Sequence, residues 1–568
     1  MLYTSYIGGI DADRALGVAE LNGRVVVTGT TKSAIGFDFE TPAGGYEDNS
    51  EGIEPGNNWG MASGTCWLAA FDANGDREWM TLFGPYYALE PANVDFDDAG
   101  NIYLAGTVHW MAGVMPLPVV SSNQPANNAL PILGGGYSQS QMGWLYYTPS
   151  PAVWTDGFYA KFASGYQLER STLFGGSSYY DHIVDMEVLR SEGFMFIAGS
   201  TMSPQGSDPL CTQPAPNAPG FPWCPGVNPD PFFMSNTPPG VHFDGEMTAW
   251  LAQIKSTGQL MYCTSLACKD MPDEAIALSV GNGTVTVVGY HSCEAYAPEG
   301  CSAPASGLSL CQEAGIPFIW PITPNGNGEH YFVQQIRLAV HTLAWSTSIG
   351  SGPVNDVSMG YDGKIYVVGQ MSSTGDVPLQ EHPDYYSSVL PGTGEDQYVL
   401  GFGQGGLFWG TRHGAQENTF AAASRTLDRI YVAGNKFNNG FVPYNCPSTI
   451  DPWCVEEAAL GSITYSQLHV SLPVGFSEQS ISTDKDGMIF PNPTDGGLTV
   501  VFDSVFDGPV DVRIVDASGR VVLSRIHTMF NGRANIPELD LSPGPYFIQV
   551  APYGGIRLEG RFVVSPTH

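Results

Sequence analysis

Positive charge is what this chain has least of. Its 568 residues carry 22 Lys and Arg against 56 Asp and Glu, a formal net charge of −34. A field of that sign repels phosphate backbones and argues against nucleic acid as a partner. Charged residues of both signs make up only 14% of the chain, below the usual quarter. No apolar run approaches the roughly 18 residues that a membrane-spanning helix needs, so no transmembrane segment is expected. There is no CxxC pair, which argues against zinc ribbons and fingers. G-x-S-x-G, HExxH and P-loop motifs are missing, and sialidase-like Asp boxes do not recur. No leader precedes the strand pattern that begins at Leu2-Tyr3-Thr4, so for an exported protein the expectation is a leader already removed.

What the chain does have is repetition. The clearest copy runs from Asp156 to Thr201 and reads as four short strands. They are Asp156 to Phe162, a stretch ending Ser171-Thr-Leu-Phe-Gly-Gly176, Ile183 to Val188, and Phe194 to Gly199. One such sheet cannot bury both faces alone, so copies must stack. The last strand ends in a glycine in every copy: Gly29, Gly106, Gly199, Gly289, Gly369 and Gly434. Val, Ile and Tyr dominate the residues before it, as β-strands require. Asn22-Gly23, Asn282-Gly283, Asp362-Gly363 and Asp97 to Asn101 are hairpin turns by composition.

The chain starts halfway through a unit. Tyr3 to Gly9 matches the second strand of the repeat, and the missing first strand appears at the far end as Ser466 to Leu472. A strand absent at the start and supplied at the end is the pattern of a ring closed by its termini, which removes exposed sheet edges. The expected fold is all-β: a β-propeller over residues 1–472, six blades of four strands, closed by the N- and C-terminal strands. The units resemble the SBBP β-propeller repeat family. Its pattern reads roughly D-A-F-V-A-K-L, W-S-T-Y-L-G-G and G-N-V-Y-V-T-G. That family name suggests seven blades, where six units are counted in this chain.

Long insertions fall at one joint of every unit, between the glycine strand and the aromatic-rich strand. They span about residues 31–64, 109–154, 202–245, 292–328, 371–395 and 436–464. One repeated joint emerges on one face, which makes that face the expected working surface. The insertions carry Trp144, Tyr146, Trp223, Trp320 and Tyr385, rings suited to carbohydrate or protein contacts or to packing the loops together. Cys211 and Cys224 flank one Pro-rich loop, and Cys446 and Cys454 another, the pattern of disulfide staples in an exported protein. The acidic excess reads as a solvated surface or as calcium sites; Asp38, Glu40, Glu47 and Asp48 are the candidates in the first insertion. No cofactor other than calcium is suggested. His109, His182 and His291 lie near strand ends on the insertion side, and Asp181 and Asp273 follow second strands. Each admits a structural or a chemical role, and no spacing fixes two carboxylates at a catalytic separation.

A polar linker, residues 473–488, leads to a small domain at 489–568 whose short alternating strands read as an antiparallel β-sandwich. Its motifs are Pro491-Asn492-Pro493 with Gly496, then Asp516 with Gly519-Arg520, then Gly544 with Tyr546. This tail resembles the type A C-terminal sorting domain of the type IX secretion system of Bacteroidota. The resemblance implies export to the cell surface or beyond, with the translocon and sortase machinery as partners. The expected function is a secreted or surface-displayed binding and structural module with a glycan or surface protein as ligand. A secreted polysaccharide-active enzyme and a self-assembling surface-layer or filament subunit are the alternatives.

Overall fold

The computed structural model describes residues 7–8, 12–33, 45–46, 64–84, 89–111, 119–120, 130–133, 139, 153–176, 180–203, 221–224, 247–266, 273–291, 330–339, 341–360, 363–371, 377–380, 396–403, 406–412, 417–423, 429–435, 463–469, 488–490, 498–501, 508–516, 521–529, 533–536, 541–542, 544–552 and 558–564. Every regular element among them is a β-strand. No helix among the described residues is long and apolar enough to cross a membrane. The chain divides into two compact units, Met1–Pro473 and Val474–His568.

Apart from a short parallel pair in one insertion, Val119–Val120 and Leu130–Pro131, the first unit holds a series of six antiparallel sheets. In the first, Asp13–Leu21, Arg24–Thr31, Thr65–Phe71 and Arg77–Phe83 lie side by side in chain order. In the order of the repeat they correspond to Ile183 to Val188 (the alternating strand), Phe194 to Gly199 (the glycine strand), Asp156 to Phe162 (the aromatic strand) and the stretch ending at Gly176 (the threonine strand). The next four sheets repeat the order, and the sixth has three strands among the described residues, Glu417–Ala423, Arg429–Asn435 and Ile463–His469. Each alternating strand packs against that of the next sheet, from Asp13–Leu21 through Leu89–Phe96, Asp181–Leu189, Asp273–Gly281 and Val354–Met359 to Glu417–Ala423. Apolar cores fill the spaces between sheets. Trp79, Phe83, Phe158 and Phe162 meet between the first and second sheets, and Trp250, Phe174 and Phe221 at the third.

The recurring glycine has a steric cause. In each of the first five sheets the alternating strand carries a β-bulge opposite it, as at Ala15/Gly17 and Ile183/Asp185. The bulge drives a carbonyl onto the glycine: Arg14 onto Gly29, Glu90 onto Gly106, His182 onto Gly199, Glu274 onto Gly289, Pro353 onto Gly369. From the other side comes an aromatic ring at the paired position, Trp67, Phe158, Trp250, Phe332 or Tyr398. The rings cover the backbone that glycine leaves bare. The turns follow the same economy: Asn22-Gly23 and Asn282-Gly283 all have positive φ, as two-residue hairpins require.

Part of the acid content is structural. The alternating strand has a ladder partner on one side only, so the N–H groups of its other edge need acceptors. The preceding sheet supplies them. Val188 N donates to Asp95 Oδ2 at 3.0 Å, Leu278 N to Asp185 Oδ2 at 2.8 Å and Val280 N to Glu187 Oε2 at 2.6 Å. Met359 N donates to Ser279 Oγ at 3.0 Å. Arg190 Nη2 bonds Asp95 Oδ1 at 2.8 Å, and Asn93 Nδ2 bonds Asp185 Oδ1 at 2.9 Å. The side chains that latch the middle sheets together sit just beyond the bulge. The same register positions hold Gly17 and Ala19 in the first sheet and Phe420 and Ala422 in the sixth. Neither pair offers an acceptor.

The described parts of the insertions return to the outer strands. Leu133 pairs with Ser171, Cys224 with Cys263 and Gln380 with Gly410. Trp79 Nε1 donates to Tyr46 O at 2.8 Å. These segments cover sheet edges that would otherwise template aggregation. Several described residues of the insertions thus lie along the outer strands.

The second unit has two sheets over one core. Met488–Phe490, Leu498–Val501 and Arg533–Ile536 form one. Val521–Met529, Gly508–Asp516, Gly544–Pro552 and Leu558–Val564 form the other, in that spatial order. Val510, Val512 and Ile514 alternate inward against Ile548, Val550 and Val500.

Candidate functional site

A cavity of about 690 Å³ opens where the alternating strands of the first three sheets converge. It lies at the end of the strands from which the insertions leave. Arg14, Glu90 and His182 reach it from one repeated position, the residue whose carbonyl meets the glycine. His109 comes from the end of the second glycine strand, and Tyr180 from just ahead of the third alternating strand. Between the polar groups the lining is aliphatic, with Leu16, Val18, Val27, Ile183 and Val184. Val18 is 66% exposed, the most open large apolar side chain among the described residues.

The polar groups are unevenly satisfied. His109 Nε2 lies 3.4 Å from Glu90 Oε2, and Arg14 Nη1 lies 3.9 Å from Glu90 Oε1. The hydrogen bond from His109 holds the Glu90 carboxyl below the usual range against partial desolvation, and the charges of His109 and Arg14 add to it. Burial pushes His182 down to about 4, helped by the nearby His109, so its imidazole is neutral at physiological pH. Its Nδ1 is buried with no hydrogen-bond partner. The Tyr180 ring stands edge-on to it with centroids 4.6 Å apart. Burial raises the Tyr180 hydroxyl as well. Of the lining threonines, Thr107 Oγ1 bonds the Ile183 backbone and Thr155 Oγ1 accepts from Asp181 N. No three His, Cys, Asp or Glu side chains among the described residues are arranged to hold a metal ion.

Asp181 and Asp273 are buried, and neither lines this cavity. Asp181 accepts from Ser203 Oγ and Gly176 N, both at 2.7 Å, and from Thr201 Oγ1. Asp13 takes the same bond from Ser33 in the first sheet. The carboxylate therefore ties the strand to the chain leaving the glycine strand, and this bonding accounts for Asp181 without a catalytic role. His291 is buried against His330, ring centroids 5.7 Å apart. Trp223 is buried against Phe221, centroids 4.9 Å apart, so in this structure it packs its loop. Cys224 is disulfide-bonded. Cys66 and Cys263 are free buried thiols, so its partner lies outside the described residues. Trp144, Tyr146, Trp320, Tyr385, Cys211, Cys446, Cys454, Asp38, Glu40, Glu47 and Asp48 also lie outside them. Of the tail motif, Asp516 ends one strand and Gly544 begins another. Tyr546 is buried and donates to Ser542 O at 2.8 Å. Pro491, Asn492, Pro493, Gly496, Gly519 and Arg520 fall outside the described residues.

The titrations predict opposing pH limbs. Asp181 and Asp185 are both raised to about 6 by burial, over the opposing pull of their hydrogen bonds. Their contribution to stability is full below about 3.8 and is lost as pH rises through about 6. His182 acts in the other direction: its contribution is full above about 6.5 and is lost as pH falls through about 4. His182→Gln is expected to remove about 3 kcal/mol of the loss between pH 7 and pH 4, read by urea unfolding at both values. An unchanged acid limb in the variant would contradict the assignment.

Residues 488–564 match the family model described as the secretion system C-terminal sorting domain. No curated protein matches the chain. Among solved structures, the β-propeller domain of Myceliophteria thermophila Cps50 is 9% identical with a TM-score of 0.27, over 66% of this chain and 89% of that one. Glycoside hydrolase family 32 from Bifidobacterium adolescentis is 10% identical with a TM-score of 0.26, over 98% and 76%. A Synechocystis apocarotenoid oxygenase mutant is 11% identical with a TM-score of 0.23, over 75% and 91%. Superpositions this loose carry no argument about this chain. The sorting domain does: it marks the chain as a substrate of type IX secretion, delivered to the cell surface or outside.

Proposed function

We propose that the first unit is a six-bladed β-propeller that works outside the cell as a binding module, with the second unit as its address. The observation that carries the reading is the pairing of a sorting domain at 488–564 with six successive sheets whose alternating strands pack side by side. Closure of the ring by Tyr3 to Gly9 against Ile463–His469 follows from the phase of the repeat and would give the sixth sheet its fourth strand. The binding surface is the insertion end of the ring, centred on the cavity of the first three sheets. A disulfide between Cys211 and Cys224 fits the bonded state of Cys224 and an oxidising destination.

Truncation at residue 473 tests the division of labour. The shortened chain is expected to fold, resist protease and stay inside the cell, while the full chain appears in the surface or medium fraction. Export of the truncated chain at the full-length level would sink the reading.

A further inference from the structure

We propose that the cavity between the first three sheets binds a neutral saccharide unit, gripped by Glu90 and Arg14 at its rim. This rests on reading that cavity as the binding site. Its volume, about 690 Å³, falls within the range of small-molecule sites. The charges at the rim cancel. Arg14 and Glu90 stand opposite one another, 3.9 Å apart, too far for either to satisfy the other. An anionic ligand would meet Glu90, and an amine would meet Arg14, so a ligand of either sign gains one contact and loses another. A hydroxyl suffers neither conflict, because it both donates and accepts. Adjacent hydroxyls of one sugar can donate to Glu90 and accept from Arg14 together.

The rest of the wall suits the other side of such a ligand. A sugar ring has an apolar C–H face, and Leu16, Val18, Ile183 and Val184 with the Tyr180 ring offer apolar surface to receive it. His182 adds a neutral imidazole to this wall, and its Nδ1 has no hydrogen-bond partner. His109, itself part of the lining, lies 3.4 Å from the Glu90 carboxylate, so the acceptor is oriented before a ligand arrives. Thr107 and Thr155 are already engaged with backbone and are not needed as contacts.

Saturation-transfer NMR on the full chain tests this. The probes are the methyl glycosides of glucose, galactose, mannose and xylose, with methyl glucuronide and glucosamine as the charged comparisons. At least one neutral glycoside is expected to bind through its ring protons, and Glu90→Gln is expected to weaken it by about tenfold or more. Arg14→Gln is expected to act in the same direction. Glu90 is partly exposed, so both variants should keep the wild-type melting temperature. Preferred binding of glucuronide or glucosamine, lost in Glu90→Gln, would overturn the ligand class and leave the cavity standing as the site. Neutral-sugar binding unchanged in both variants would place the site elsewhere and overturn the cavity reading too. No binding by any probe would overturn the proposal.

Discussion

Gly199→Ala is expected to unfold the third sheet, with a loss of about 4 kcal/mol or more. The added methyl would lie inside the His182 carbonyl and 2.6 Å from Trp250 Cζ2. Neither neighbour can yield cheaply. The carbonyl belongs to a bulged strand, and the ring is fully buried among Phe174 and Phe221. Gly283→Ala is the matched control. Gly283 has a φ of +72° but nothing within 4 Å of the added methyl, so only the backbone penalty of about 1 kcal/mol applies. Urea unfolding of the two variants separates the effects. Equal losses would mean that close packing does not explain the recurring glycine.

Asp185→Ala is expected to cost about 3 kcal/mol, because it leaves three donors without an acceptor. Leu278 N, Met186 N and Asn93 Nδ2 all bond its carboxylate, and Leu278 belongs to the next sheet. Asp185→Asn keeps one acceptor oxygen and should lose roughly half as much. Hydrogen exchange locates the damage: the Leu278 amide should become fast while amides of the fifth sheet stay protected. Slow exchange at Leu278 in the alanine variant would show that the latch is dispensable.

Much of this architecture was legible in the chain because it is written by repetition. The glycine that ends one strand of every copy, the aromatic-rich strand and the insertion joint recur often enough to fix the repeat unit. The strand order found, alternating, glycine, aromatic, threonine, lays these units side by side along the chain. What was not legible depends on register between strands. A bulge that brings the His182 carbonyl onto Gly199 leaves no trace in composition, and only pairing reveals it. The acidic excess reads by composition as solvated surface, yet it includes Asp95, Asp185 and Glu187, which cap backbone across sheets. The cavity was half visible. His109 and His182 stood out as histidines near strand ends, whereas Arg14 and Glu90 look ordinary until the repeats are aligned and share the position of His182. Aromatics in the insertions suit either ligand contact or loop packing, and of the two roles Phe221 and Trp223 show packing.

The most direct test of the exported-propeller account is intact-mass spectrometry of the native protein from cells and medium, with and without a working type IX system. The account predicts a mature form outside the cell that ends within residues 473–488, and no extracellular protein once the system is disabled. Normal export without the system would contradict the account at its base.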